Sequence, residues 1–180
     1  MAAGINSKAQ QARSLCDEAR WAEALALARR WQTETSEDPQ AFYYEGLALA
    51  GMGKFVAAET AYYRALALDD QNFTIWNSLA TLMADGLKQP EEGAKCLAQA
   101  MQLDPGNKHG WAKLARMYVL IGRHAEAVEC AERALALDPE MVEAQLHRGR
   151  AGQALGRSEL VRSACEALAK LSADKFHPAE

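Results

Sequence analysis

The chain has 180 residues, with 24 Asp and Glu against 20 Lys and Arg, a formal net charge of −4 and a pI near 5.6. A domain that grips nucleic acid through its phosphates carries a basic excess, so this balance speaks against a nucleic-acid partner. Alanine is the commonest residue, leucine is frequent, and Ile and Val are scarce, which favours helix and starves any strand; the expected class is all-α.

The start, Met1-Ala2-Ala3-Gly4-Ile5-Asn6-Ser7-Lys8, lacks the apolar run of a secretory signal, and no later stretch approaches the ~20 apolar residues of a membrane span. A cytoplasmic chain with no membrane partner is the expectation. From there the apolar periodicity predicts ten helices in five pairs. The first helices of the pairs are expected over 5–17, 40–52, 73–85, 108–121 and 142–155, and their partners over 21–34, 55–68, 90–103, 124–137 and 158–171. Gly53, Gly122 and Gly156 are expected to end helices in the left-handed conformation that glycine adopts without steric cost. Pro39, Pro105 and Pro139 follow second helices, where proline can open the next helix but could not have continued the last. The last helix carries Leu160, Val161, Ala164, Leu168 and Leu171 on one stripe and reads as a C-terminal lid; residues 173–180 show no helical pattern and are expected to form a flexible tail.

The segments Ala65-Leu66-Ala67-Leu68-Asp69-Asp70, Ala100-Met101-Gln102-Leu103-Asp104-Pro105 and Ala134-Leu135-Ala136-Leu137-Asp138-Pro139 are one phrase written three times, 35 and then 34 residues apart. Phe42, Trp76 and Trp111 keep the same time, and Gly122 to Gly156 is 34 again. Units of this length cannot bury their apolar faces alone and must stack on one another. Ala12, Gly46, Ala80, Ala115 and Gly149 occupy one place in the five first helices, where a larger side chain would push the paired axes apart.

Within one period the order runs Trp111, Leu114, Ala115, Tyr118, Gly122, Ala127, Ala134 and Pro139. This pattern resembles the tetratricopeptide repeat, with about five units at 5–38, 39–72, 73–107, 108–141 and 142–172. The resemblance implies a right-handed superhelical solenoid of antiparallel helix pairs, in one domain over 1–172, with degenerate terminal repeats. Departures from the pattern are local. Glu45 and Arg148 stand where a buried Leu is expected, Gly152 replaces the later aromatic, Asp70 replaces a proline, and the third unit carries one extra residue around Asp85 to Pro90.

No constellation for catalysis is present: there is no phosphate loop, no His-Glu-x-x-His, no Gly-x-Ser-x-Gly, and His109, His124, His147 and His177 are scattered. Cys16, Cys96, Cys130 and Cys165 lack the close spacing of a zinc or redox motif and are read as small thiols in the helix seam, so neither metal nor cofactor is expected. What remains is surface. In the fourth unit Trp111, Leu114, Ala115 and Tyr118 form the buried stripe, which puts His109, Lys113 and Arg116 on another side of the helix.

In the tetratricopeptide family the side of the first helices turned away from their partners lines a concave groove that holds peptide segments. The resemblance therefore implies a partner-binding groove lined by Tyr43, Tyr44, Leu47, Asn77, Ser78, Thr81, His109, Lys113, Arg116, His147 and Arg150, aromatic at one end and basic at the other. Tyr43 and Tyr44 stand at consecutive helical positions, so both are not expected to point into the core. The Lys and Asn set with which some relatives clamp a chaperone carboxylate is absent, since Ala9, Arg13, Tyr43 and Leu47 hold those places. The expected function is a non-enzymatic protein-interaction module or scaffold that binds a protein or peptide partner. The alternatives are a structural unit that self-associates through its solenoid ends and an adaptor similar to bacterial type III secretion chaperones.

Overall fold

The computed structural model describes residues 2–176, with side chains over 7–173. Among these residues every regular element is helical: α1 (Ala2–Asp17), α2 (Trp21–Glu34), α3 (Pro39–Gly51), α4 (Phe55–Leu68), α5 (Phe73–Thr81) continuing into a π turn (Leu82–Gly86), α6 (Pro90–Leu103), α7 (Lys108–Leu120), α8 (His124–Leu137), α9 (Val142–Ala154) and α10 (Ser158–Phe176). The four second helices α2, α4, α6 and α8 begin and end at the expected residues. The last helix is longer than its apolar stripe suggested, running to Phe176. Residues 173–176 continue it because no breaker stands among them; residues 177–180 of the expected tail lie outside the described residues.

Three first helices, α3, α5 and α7, start on side-chain caps. Asp38 accepts from the Gln40 N–H at 3.0 Å, Asn72 from Thr74 and Ile75 at 3.1 and 3.4 Å, and Asn107 from Gly110 at 2.9 Å, each satisfying donors that the first turn leaves open. Inside each pair the chain reverses through a residue with positive φ. Those residues are Ala19 (55°), Gly53 (73°), Lys88 (59°), Gly122 (77°) and Gly156 (69°). In four of the five turns an N–H bonds the carbonyl five residues earlier: Arg20 to Leu15, Lys54 to Leu49, Arg123 to Tyr118 and Arg157 to Gly152, at 2.8 to 2.9 Å. That is the closing bond of a glycine-type helix stop.

The contacts fall into two compact units, Met1–Cys96 and Leu97–Glu180, dividing within α6. In the first, α1 packs on α2 and α3, α2 on α3, α3 on α4, and α4 on α5. Its core is built largely from alanine: Ala12, Ala24, Ala28, Ala41, Ala58 and Ala65 are fully buried, which lets helix axes approach closely, with Trp31 and Leu79 as fully buried large members. Gly46 sets the α3–α4 distance, because a Cβ there would stand 2.7 Å from two ring carbons of Tyr62. Glu45, which takes a leucine place, is buried but satisfied: Arg29 Nε donates to it at 3.2 Å and Gln32 Nε2 at 2.8 Å.

In the second unit α7 packs on α8 and α9, α8 on α9, and α9 on α10. Ala127, Val128 and Ala151 form the centre of a core flanked by Tyr118, Val119 and Leu160. Gly110 admits Met101, whose sulfur would stand 2.3 Å from a Cβ at that place. Arg148 is half-buried and donates to the Ser163 hydroxyl at 2.8 Å, tying α9 to the lid helix. On α10 the expected stripe is turned inward, with Ala164 buried and Leu160, Val161, Leu168 and Leu171 half-buried.

Candidate functional site

The residues expected to line a groove occupy different environments. In the first unit Tyr43 and Tyr44 are both half-buried rather than free on the surface. Helix α3 is covered by α2 on one side and α4 on another, so consecutive positions can each find a neighbour. Tyr44 stacks on Trp31 with centroids 6.3 Å apart, meets Tyr43 edge-on at 5.1 Å, and Tyr43 leans on Tyr62 at 6.0 Å. The chain of rings Trp31, Tyr44, Tyr43, Tyr62 thus ties three helices together. Burial pushes the Tyr44 phenol above its ordinary value, and the neighbouring Tyr43 adds to this.

Leu47, Ser78 and Thr81 do come together. They line an open cleft of 360 Å³ with Ala50, Phe55, Tyr62, Leu82, Asp85 and Gly86. The lining is mostly apolar, and its members come from α3, α4, α5 and the π turn. Asn77 lies one residue from this lining; its carbonyl accepts from Thr81 Oγ1 at 2.9 Å, which holds that hydroxyl against its own helix.

In the second unit His109 and Arg150 are exposed and Lys113 and Arg116 half-buried on their helices. His147 is not a surface residue: it is 7% exposed, because its helix α9 is packed by α7, α8 and α10. Burial holds its imidazole below the ordinary histidine range, Arg150 and Arg116 push it further down, and Glu143 opposes them.

Several participants are not evident from residue patterns. Phe55, Tyr62, Leu82 and Gly86 belong to the cleft although none lies among the expected groove residues. The available signal was the extra residue near Asp85, which reshapes the end of α5. The recurring aromatic also has a role that periodicity alone does not reveal. Trp76 Nε1 donates to the Asp70 carbonyl at 2.8 Å, Trp111 Nε1 to Pro105 at 2.8 Å, and Gln145 Nε2 to Pro139 at 3.3 Å. Each ties the start of a first helix to the turn six residues before it.

Cys16, Cys96 and Cys130 are buried and Cys165 is exposed; all four are free thiols. Burial pushes the thiols of Cys16 and Cys96 up to about 11 and that of Cys130 to about 12, which leaves them protonated and inert near neutrality. Among the described residues no group of three or more His, Cys, Asp or Glu could hold a metal ion, and no helix is long and apolar enough to cross a membrane.

Residues 82–151 match a family model described as a tetratricopeptide repeat. Over 93 residues the chain is 34% identical to protein O-mannosyl-transferase TMTC3 of Homo sapiens, a stretch that makes up 51% of this chain and 10% of that protein. Among solved structures, MamA superposes on 92% of this chain and 96% of its own with a TM-score of 0.81 at 14% identity. A MamA fragment from Desulfovibrio magneticus RS-1 covers 96% and 98% with a TM-score of 0.75 at 21% identity. YrrB, described as a tetratricopeptide protein with an unusual peptide-binding site, covers 94% and 87% with a TM-score of 0.79 at 18% identity. At these identities the likeness is one of fold.

Proposed function

We propose that this tetratricopeptide repeat protein is a non-enzymatic interaction module that holds an extended or helical segment of a partner protein against the first helices of its pairs. The observation that carries the reading is the 360 Å³ cleft, in which Leu47, Ser78 and Thr81 from two first helices meet around an apolar floor. Apolar concavities with a few polar groups at their edge are where segments of other molecules are bound. YrrB, of like fold, is described as having a peptide-binding site, which supports a peptide ligand for this fold. The transferase activity named for the human relative is not carried over, since the match spans a tenth of that protein. Four unpaired cysteines support a reducing compartment, and we take the cytoplasm as the place of action.

The test is selection of binders from a library of random peptides of about a dozen residues, followed by titration against wild type and the variant Leu47→Glu. The reading expects enriched peptides whose affinity falls roughly tenfold or more in the variant. Equal affinity for both proteins would move the site away from the first helices. A size measurement over a concentration series separates this function from self-assembly, because self-association depends on protomer concentration.

A further inference from the structure

Helix α9 packs on α7 and α8 with little apolar surface of its own. Its buried residues are Ala144, Gln145, His147, Ala151 and Gly152, whereas α7 buries Trp111, Leu114 and Met117 beside its small residues. Val142 and Leu146, the larger apolar members of α9, are 46% and 38% exposed. The attraction that holds a helix to its neighbours scales with the apolar area removed from water, and for α9 that area is small.

The same helix carries buried polar atoms that have no hydrogen-bond partner in the protein. Among the described residues of the second unit these are Gln145 Oε1, His147 Nδ1 and Arg148 Nε on α9, and His124 Nδ1 at the start of α8. Each gives up hydration when the pair is closed and regains it on opening. Gly149 and Gly152 weaken α9 further, since glycine in a helix interior loses more chain entropy on folding than other residues. They also bind its fate to that of α10. A Cβ at Gly149 would stand 3.1 Å from Ala164 Cβ and one at Gly152 2.7 Å from Leu160 Cβ, and Arg148 donates to Ser163 at 2.8 Å.

His147 makes this weak helix sensitive to acid. A protonated imidazole donates from both nitrogens, and here Nδ1 is buried with no acceptor in the protein. Arg116 of α7 and Arg150 of α9 repel a positive charge on the ring, and Glu143 of α9 attracts it; among the described residues no group of α8 or α10 acts on it. The neutral ring therefore stabilises the closed pair above about pH 6.5, and that contribution is lost as pH falls through the lower value of the folded state.

We propose that α9 and α10 form a lid pair that unfolds locally as a unit while α7 and α8 stay folded, and that acid drives this opening by charging His147. In a repeat architecture each unit contacts only its neighbours, so a terminal pair can open without disturbing the rest. Opening removes Ala151 and Leu160 from the core they share with Ala127 and Val128, and uncovers an apolar face beside Tyr118 and Val119.

The test is amide hydrogen exchange of the full chain, read on peptic fragments at about pH 7.5 and about pH 5.5 after correction for intrinsic exchange rates. Fragments from residues 142–171 are expected to exchange together, about tenfold or more less protected than those from α7 and α8, with the gap widening at the lower pH. Two variants, shown by circular dichroism to keep their helix content, assign the cause. His147→Gln should remove most of the pH dependence. His147→Leu should remove it as well and slow exchange of α9 and α10 about threefold or more at the higher pH, because an apolar side chain replaces an orphaned polar one. Should His147→Leu fail to fold, wild type and His147→Gln decide. Protection of α9 equal to that of α7 and α8, or fast exchange confined to α10, would overturn the lid pair. Exchange in wild type that does not respond to pH, or a response unchanged in His147→Gln, would overturn the acid trigger.

Discussion

Ala19 and Lys88 are the residues at which this chain departs most plainly from ideal local chemistry. Both adopt positive φ at the reversal where Gly53, Gly122 and Gly156 stand in the other pairs. A side chain in this region carries a steric cost that glycine does not, against which glycine costs extra chain entropy in the unfolded state. Ala19→Gly is therefore expected to raise stability by about 1 kcal/mol, measured as a higher urea midpoint at unchanged slope. Gly46→Ala should act in the opposite direction. Its Cβ would stand 2.7 Å from a Tyr62 ring that is 1% exposed and has little freedom to yield, so a loss of about 1–3 kcal/mol is expected in the same assay. His147 gives a pH-dependent case. Its imidazole is held below the ordinary range by burial, so as pH falls below about 6.5 the unfolded chain takes up the proton first. The stability contributed by the neutral ring is thus present above that pH and lost as pH falls through the folded value. Unfolding of His147→Gln followed at about pH 7.5 and about pH 5.5 should show a smaller acid-induced loss than wild type.

At the scale of elements, helix limits were legible because apolar spacing and punctuation agree, as in α8, where the sequence stops at Asp138-Pro139 and the helix ends at Leu137. The end of α5 was not legible. One surplus residue can be accommodated as a longer loop, a bulge or a wider helical turn, and only the packing of Leu82 and Met83 into the core selects the π turn. The repeating tryptophan was legible as a buried aromatic, whereas its indole bond to the preceding turn depends on a geometry that spacing does not encode. Trp111→Phe separates these two roles: it keeps a large aromatic ring and removes the donor to Pro105. The expected loss is about 0.5–1.5 kcal/mol for the bond, against the roughly 3–5 kcal/mol that Trp111→Ala should cost through lost packing. Trp111 also carries the Arg133 guanidinium 4.6 Å above its ring, and phenylalanine retains a weaker version of that contact.

For the whole molecule, the repeat identifies the fold, while the site was only partly visible. A helical wheel places Leu47, Ser78 and Thr81 on one side of their helices, and the cleft contains all three. The same wheel could not show that α2 and α4 both reach α3 and draw Tyr43 and Tyr44 into a chain of rings, or that His147 is buried, since both depend on which helices are neighbours. Each compact unit relies on its own packing, so removal of residues 157–180, which deletes the α10 cover over Gly152 and Ala151, should lower the unfolding midpoint or cause aggregation. The central claim, that a peptide segment is held on the first helices, is tested most directly by mapping amide and methyl shifts of the labelled chain on titration with a selected peptide. The account expects the largest changes at Leu47, Ser78, Thr81, Leu82 and Gly86. Changes confined to second-helix surfaces such as Ala67 and Ala136, with the cleft residues unmoved, would contradict it.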